Sequence, residues 1–181
     1  MRVTGGIGRG QRLKVPAGDR VRPTSDKVKQ ALFNILGERV EDAVFLDLYA
    51  GAGGIGIEAL SRGARRVVFV DASRDSVDAV KHNIGQTGFG DRAEVVFSKA
   101  ETFLKKASGP YDIVFLDPPY AEEMQPLLGR LAGAGILKPG SIVIAEHFKK
   151  QPSPESAGAL TLYRDAQYGD TVLAFYKLRS Q

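Results

Sequence analysis

Residues 44–56, which read VFLDLYAGAGGIG, constrain the fold more than any other stretch of the chain. An apolar run ends in the acid Asp47, a glycine-rich turn follows, and a helical pattern begins near Ile55. Glycines let a backbone approach a ligand closely, and a helix N-terminus presents free N–H groups. Gly51, Gly53 and Gly56 fit the G-x-G-x-x-G pattern of nucleotide-cofactor loops, although plain strand–helix connections also use such turns. The stretch predicts a strand, a tight loop and a helix, and it allows a cofactor site.

Strand patterns alternate with helix patterns through the chain that follows. The predicted strands cover residues 44–47, 66–71, 93–97, 111–116 and 141–146, with a closing pair at 160–167 and 171–178. Strands that alternate with helices form a parallel sheet covered on both faces. We therefore predict an α/β fold with a seven-stranded sheet. Ligands of such sheets bind outside the carboxyl ends of the strands.

The second predicted strand ends in Asp71, twenty residues after Gly51. An acid at this place accepts hydrogen bonds from ribose hydroxyls of a bound nucleotide. This role fits both NAD and S-adenosylmethionine. The alternative is an exposed strand-end acid without a ligand.

The fourth predicted strand ends in the turn Asp117-Pro118-Pro119-Tyr120. Two consecutive prolines fix the backbone, so the carbonyl groups of Asp117 and Pro118 cannot turn away. Fixed acceptors can hold the exocyclic amine of a base and favour its pyramidal transition state. Tyr120 can stack on that base. The alternative is a strand-ending Pro-Pro turn with a core tyrosine, but the position opposite a glycine loop favours the amine site and S-adenosylmethionine over NAD.

The N-terminal residues form a separate small unit in the prediction. Residues 1–15 predict a short hairpin whose alternation turns Arg12 and Lys14 outward. Thr24 is the predicted N-cap of a helix that ends at Gly37. We divide the chain into this extension, residues 1–37, and a main domain, residues 38–181.

Basic residues are concentrated in the first 30 positions. This segment holds eight basic and two acidic residues, a net charge of +6, whereas the whole chain carries +4 and the remainder therefore −2. Such asymmetry indicates a polyanionic partner, most simply a nucleic acid, although a solvated surface could also carry this charge.

The composition excludes several classes of site and location. The chain has no cysteine, which excludes disulfides, thiolate metal sites and a cysteine nucleophile. With only two histidines we expect no metal site, and we expect His82 at the surface. His147 follows a strand end and could face the site, but the sequence favours a capping or solvent-exposed role. No apolar run reaches the length of a membrane span and no signal peptide is evident, so we expect a cytoplasmic protein without membrane association.

Taken together, DLYAGAGGIG, the acid Asp71 and DPPY resemble the class I S-adenosylmethionine-dependent methyltransferases that act on exocyclic amines. The fuller series resembles the RsmD family of guanine-N2 methyltransferases of small-subunit (16S) ribosomal RNA. It consists of GGIGRGQRLKVP, VRPTSDKVKQALFNIL, DLYAGAGGIG, DIVFLDPPY and YGDT, in the order of the family. The resemblance implies a Rossmann-like methyltransferase fold, S-adenosylmethionine as cofactor and ribosomal RNA as partner.

The resemblance also implies roles for individual residues. The methionine end of the cofactor would be lined by Asp47, Tyr49, Ala50, Gly51 and Gly53. The ribose would be held by Asp71, Ala72 and Ser73, and the adenine would lie beside Lys99, Ala100 and Glu101. The residues implied to close over the methionine moiety are Arg22, Pro23 and Thr24. Lys99 stands where the family commonly has an acid, so Glu101 or the backbone would contact the adenine.

Two further groups complete the implied set. The catalytic residues would be Asp117, Pro118, Pro119 and Tyr120, where Tyr120 replaces a frequent phenylalanine and keeps the stacking surface. The RNA phosphates would meet Arg2, Arg9, Arg12 and Lys14, which add salt-dependent affinity and little sequence information.

We therefore expect a monomer that methylates guanine N2 in 16S rRNA, as naked RNA, a ribonucleoprotein or the assembled small subunit. The alternatives are an adenine-N6 or cytosine-N4 methyltransferase of DNA or other RNA, an NAD-dependent oxidoreductase, and a non-catalytic RNA-binding module. The size of the chain, 181 residues, leaves little room for the separate recognition domain of a DNA enzyme.

Overall fold

The structure, a computed structural model, describes residues 1–16 and 24–179. It is built around a mixed sheet with helices on both faces. The strands are β1 Val44–Leu48, β2 Arg66–Asp71, β3 Ala93–Phe97, β4 Tyr111–Leu116, β5 Leu137–Phe148, β6 Ser156–Ala157, β7 Leu160–Tyr168 and β8 Thr171–Leu178. The helices are α1 Asp26–Leu36, α2 Gly54–Ser61, α3 Arg74–Thr87, α4 Ala100–Leu104 and α5 Met124–Gly133, with short 3-10 turns at Gly37–Val40 and Gly90–Arg92.

The order of the strands reverses direction beside β1. The order is β3-β2-β1-β4-β5-β8-β7-β6, and β1 to β5 run parallel while β8, β7 and β6 pair antiparallel. The chain moves from β1 to one side through β2 and β3, then returns to β4 on the other side. Leu48 pairs with Leu116 at the carboxyl ends of β1 and β4. This reversal is the point at which open α/β sheets bind their ligands.

Alternating side chains of the strands pack against helices on opposite faces. Phe45 belongs to the core under α1, α2 and α3, and its neighbour Leu46 belongs to the core under α4 and α5. Both are fully buried. The predicted α/β fold with helices on both faces is confirmed.

The strand count differs from the predicted seven because an eighth strand, β6, lies at the sheet edge. Ser156 pairs with Thr161, and Ala157 pairs with Leu160. A strand of two residues is too short to produce a hydrophobic period, so the sequence showed only a loop here.

The N-terminal extension packs onto the same core as the sheet. A single antiparallel bridge joins Arg2 to Arg12, so the predicted hairpin is present as one bridge with flanking hydrogen bonds. Val3 and Leu13 are buried, whereas Arg12 and Lys14 point outward as the alternation predicts. The division of the chain after residue 37 stays a prediction.

The start of α1 corrects one expectation. The N-cap is Ser25, whose side chain accepts a hydrogen bond from the Val28 N–H at 3.3 Å, and not Thr24. Both residues are good caps, so composition alone could not choose between them. The hydroxyl of Thr24 instead donates to Glu146 at 2.8 Å.

A buried ion pair fastens α1 to α2. Nζ of Lys29 lies 3.3 Å from the carboxylate of Glu58, and both side chains are almost fully buried. Glu58 also accepts hydrogen bonds from the backbone and hydroxyl of Thr4, each at 2.8 Å. The pair therefore joins the N-terminal extension to the helix of the glycine loop.

Within the described residues no helix is long and apolar enough to cross a membrane.

Candidate active site

The turn after β1 is held by Asp47, the second-to-last residue of the strand. The carboxylate of Asp47, which is 1% exposed, accepts a hydrogen bond from the Gly56 N–H at 2.9 Å. Gly51 and Gly53 have φ angles of 56° and 78°, where a side chain would be strained. Tyr49 adopts φ 67° without being glycine, which is uncommon. The glycine pattern therefore reflects the backbone conformation of this turn.

Asp71 connects the glycine turn to the end of β2. Its carboxylate accepts hydrogen bonds from the Gly51 N–H and the Ser73 N–H, each at 2.8 Å. Ser73 also caps α3 by accepting from the Ser76 N–H. Each carboxylate oxygen can accept a further hydrogen bond, so Asp71 keeps capacity for ribose hydroxyls.

A narrow cavity of about 50 Å³ lies against the glycine turn. Met1 packs into it: a Cβ built on Gly54 would lie 2.3 Å from the Met1 sulfur. The lining residues include Met1, Thr24, Lys29, Asp47, Tyr49, Ala50, Gly51, Gly54, Phe115 and Asp117. Four residues predicted for the methionine end of the cofactor thus share one cavity with Thr24 and Asp117.

A second, larger cavity of about 470 Å³ opens on the other side of Asp117. Its lining includes Thr24, Ser25, Val28, Asp117, Pro118, Pro119, Tyr120, Glu122, Glu146, His147, Phe148 and Gln151. All four residues predicted as catalytic border this cavity. Among residues 1–16 and 24–179, only Asp117 and Thr24 line both cavities, so a ligand in one space would meet a ligand in the other at these two residues.

The place where the two cavities meet, at Asp117 and Thr24, is called the junction. Three acids near the junction have raised pKa values because burial disfavours their charged forms. Burial raises the pKa of Asp47 to about 8, although the hydrogen bond from Gly56 opposes this effect. Burial also raises the pKa of Asp117 well above its usual range, and the charges of Glu146 and Asp47 add to the effect. Burial raises the pKa of Glu146 to about 7, against the hydrogen bond from Thr24. Without a cationic ligand the site is therefore costly to ionise.

Two tyrosines frame the junction. The ring of Tyr120 is 67% exposed and meets Phe148 edge-on at 6.3 Å, so one face stays open. The hydroxyl of Tyr49 donates to the Glu122 carboxylate at 2.7 Å, and its burial and this acid raise its pKa. Tyr49 therefore ties the glycine turn to the loop after Tyr120.

The residues predicted to contact the adenine and the ribose do not line either cavity. Lys99 is the N-cap of α4, which begins with Ala100 and Glu101 after the carboxyl end of β3, and the Glu101 carboxylate pairs with Arg130. Ala72 and Ser73 lie exposed at the end of β2. Arg22 and Pro23 fall outside the described residues, whereas Thr24 lines both cavities.

The four basic residues predicted to meet RNA are all exposed: Arg2, Arg9, Arg12 and Lys14. Nε of Arg2 lies 2.9 Å from Asp26, which partly offsets its charge.

Glu146 was not predicted as a site residue, and His147 was predicted to face the site only as the less favoured alternative. His147 is 8% exposed, and its Nε2 lies 2.9 Å from the hydroxyl of Ser153, which donates to Asp165 at 2.8 Å. The favoured capping or solvent role of His147 is therefore wrong, because β5 extends two residues beyond the predicted strand and carries the side chain inward. The alternative that His147 faces the site agrees with its place in the lining of the larger cavity. An acid in the apolar run SIVIAE was the signal that could have identified Glu146. Among the described residues, no group of three or more histidine, aspartate or glutamate side chains is placed to hold a metal ion.

Comparison with known proteins relates the whole chain to one group. The family model described as "Conserved hypothetical protein 95" matches residues 1–177. YlbH of Bacillus subtilis is 39% identical over 184 residues, which cover 99% of this chain and 100% of YlbH. The ribosomal RNA small subunit methyltransferase D of Escherichia coli is 32% identical over 182 residues, which cover 100% of this chain and 91% of that protein. The solved structure of the yhhF protein from Escherichia coli has a TM-score of 0.89 at 31% identity and covers 100% of this chain and 99% of that chain.

Proposed function

The chain belongs to the RsmD family of ribosomal RNA methyltransferases, and we propose that it transfers a methyl group from S-adenosylmethionine to the exocyclic N2 amine of a guanine in small-subunit rRNA. One structural observation supports this reaction above others. Asp117 begins the Asp117-Pro118-Pro119-Tyr120 turn and borders both a cavity against the glycine turn and a larger open cavity. A cofactor and a target base placed in these two spaces would meet at this turn.

The residues around the glycine turn fit S-adenosylmethionine. The turn formed by Gly51 and Gly53, with positive φ angles, allows close approach of a ligand. At the end of β2, the carboxylate of Asp71 can accept hydrogen bonds from ribose hydroxyls. Buried Asp47 and partly buried Asp117 are acids that lack a cationic partner among the described residues. When bound, S-adenosylmethionine supplies a methyl group on a positively charged sulfur. A sulfonium beside these acids would favour their ionised forms.

We assign the remaining cofactor contacts from the family pattern. Asp71, Ala72 and Ser73 hold the ribose, and the segment from Lys99 to Glu101 lies along the adenine. Because Glu101 already pairs with Arg130, its backbone is a better contact for the adenine than its side chain. Arg22, Pro23 and Thr24 close over the methionine end.

The Asp117 turn acts on the base. The carboxylate of Asp117 and the backbone carbonyl of Pro118, which the two prolines hold in place, accept the N–H bonds of the amine and direct its lone pair toward the methyl group. The open face of Tyr120 stacks on the base. The target guanine leaves its stack to reach this pocket. Arg9, Arg12 and Lys14 bind phosphates of the surrounding RNA.

The family favours this reaction over methylation of DNA, hydride transfer with NAD, or RNA binding without catalysis, since the named relatives include a small-subunit rRNA methyltransferase. The function places the protein in the cytoplasm with rRNA or its ribonucleoprotein. The pocket needs no second copy of the chain, so we propose that a monomer is active.

A transfer assay tests the proposal. Labelled S-adenosylmethionine is incubated with the protein and either small-subunit rRNA, free or with ribosomal proteins, from cells lacking this gene, or duplex DNA. We expect label in rRNA alone. Asp117→Ala should abolish transfer, and Asp78→Ala, which changes an exposed acid on α3, should not. Transfer to DNA in preference to rRNA would refute the proposal.

A further inference from the structure

Glu146 is an acid that the reaction described above does not use. It lies in the apolar half of β5, where Ile142 and Ile144 point to the same face and are buried. Glu146 itself is 9% exposed. A buried carboxyl is unfavourable unless partners or a ligand offset the loss of water. Because Glu146 lines the larger cavity, we expect a ligand in that cavity to offset the cost of burying its carboxyl.

One carboxyl oxygen of Glu146 accepts a hydrogen bond, and the other has no donor among the described residues. Thr24 donates its hydroxyl hydrogen to Oε2 at 2.8 Å. Within residues 1–16 and 24–179, this is the one hydrogen bond that the carboxyl of Glu146 receives. Oε1 therefore keeps its capacity to accept a hydrogen bond. Thr24 fixes the side chain, and the other oxygen remains for a ligand.

The position of Glu146 restricts which ligand it can meet. It lines the larger cavity together with Asp117, Pro118 and Tyr120, and it does not line the cavity of the glycine turn. A group in its reach therefore belongs to the target base and not to the cofactor. Asp117 is close enough for the charge of Glu146 to raise its pKa, so the two carboxyls face a shared space.

The Watson–Crick edge of guanine presents two neighbouring donors, N1–H and the N2 amine. Enzymes that act on extruded bases read this edge by hydrogen bonds. If the Asp117 turn accepts from N2, the next donor along the edge is N1–H. Adenine carries an acceptor at N1, which a carboxylate would repel. A carboxylate beside the amine site thus selects guanine and rejects adenine.

We propose that Glu146 is a specificity-determining residue, which accepts the N1–H of the target guanine while the Asp117 turn accepts from N2. This inference rests on the proposed guanine-N2 reaction. Thr24 positions Glu146 by its hydrogen bond. Only the ionised carboxylate of Glu146 can accept from N1–H without being a donor itself. Because the pKa of Glu146 is raised in the empty pocket, binding of the base also releases the proton from this carboxyl to solvent.

The test uses rRNA substrates that differ only at the target nucleotide, mapped with the wild-type protein. One carries 6-thioguanosine, which keeps N1–H and the N2 amine and replaces O6. The other carries 2-aminopurine riboside, which keeps the amine and lacks N1–H. The readout is the ratio of kcat/KM for 6-thioguanosine to that for 2-aminopurine. The two bases also differ at C6, so the change of this ratio in a variant of Glu146 isolates the contact to N1–H.

We expect the wild-type ratio to be about 10 to 100, since a hydrogen bond to a charged acceptor discriminates by about this factor. Glu146→Gln should bring the ratio to within about threefold of one, because its amide can accept from N1–H or donate to a bare N1. Glu155→Gln makes the same change at an exposed residue outside the cavity and should keep the wild-type ratio. Should Glu146→Gln not fold, Thr24→Val removes the positioning bond and should lower the ratio.

Two results would overturn the inference: a wild-type ratio near one, or a wild-type ratio retained in the variants of Glu146 and Thr24. Each presupposes that the wild-type protein methylates guanosine in rRNA. Failure of the wild-type protein on guanosine would instead refute the proposed function, so the two failures are distinguishable. A purely structural role of Glu146 would lower both rates equally and leave the ratio unchanged.

Discussion

The buried acid Asp47 should make the protein less stable as the pH rises toward neutrality. Burial raises the pKa of Asp47 from 3.8 to about 8. In the unfolded chain this carboxyl loses its proton near pH 4, whereas in the folded chain it keeps the proton up to about pH 8. Between these values the folded state binds one more proton. Its contribution to stability is therefore complete below pH 4, falls throughout this window and is lost above pH 8.

The size of the effect follows from the shift. Each pH unit in the window costs about 1.4 kcal/mol, so the free energy of unfolding should fall by about 3 kcal/mol from pH 5 to pH 7. Glu146 and Asp117, whose pKa values are also raised, act in the same direction. Asp112 has a lowered pKa and is ionised in both states above pH 5, so it does not offset the loss.

Urea unfolding at pH 5, 6 and 7, without cofactor, measures this slope. Asp47→Asn keeps an oxygen that can accept from the Gly56 N–H and removes the titrating group, so its slope should be shallower by about 1.4 kcal/mol per pH unit. Asp78→Asn, at an exposed position, should keep the wild-type slope. Stability that stays level or rises from pH 5 to 7, or equal slopes for wild type and Asp47→Asn, would refute the reasoning.

Three further perturbations test other parts of the structure. By calorimetry, the preference for S-adenosylmethionine over S-adenosylhomocysteine should rise from pH 6 to pH 8, by up to about tenfold per unit, because a sulfonium favours the ionised acids; a constant preference would contradict this. Replacing Arg12 and Lys14 by alanine should make the slope of log affinity against log salt for rRNA shallower by about 1.4 in filter-binding assays, and an unchanged slope would remove them from the RNA surface. Lys29→Met should lower the free energy of unfolding in urea by about 3 kcal/mol because buried Glu58 loses a cation and keeps Arg62; a loss below about 1 kcal/mol would mean that the pair is dispensable.

The glycine turn and the strand ends could be predicted from sequence because their signals are local. Residues 44–56 carry strand, turn and helix patterns within thirteen positions, and Asp71 lies at a fixed spacing from Gly51. The parallel sheet then brings Asp47 and Asp117 to one edge, since Leu48 and Leu116 are paired.

Features that depend on distant contacts could not be predicted in this way. Thr24 and Glu146 are separated by 122 positions, and only the folded chain joins them by a hydrogen bond. Thr24, which makes this contact, does not cap α1, and the neighbouring Ser25 does. The edge strand β6 requires β7 as its partner. Tertiary contacts therefore decided the details around the larger cavity, whereas local patterns were enough to predict the strand and helix order.

Identification of the methylated nucleoside tests the central claim most directly. Small-subunit rRNA from cells lacking the gene is treated with the protein and S-adenosylmethionine, digested to nucleosides and analysed by mass spectrometry. The account predicts N2-methylguanosine, absent from the reaction with Asp117→Ala and present with Asp78→Ala. Methyladenosine or methylcytidine as the product, or N2-methylguanosine formed equally well by Asp117→Ala, would contradict it.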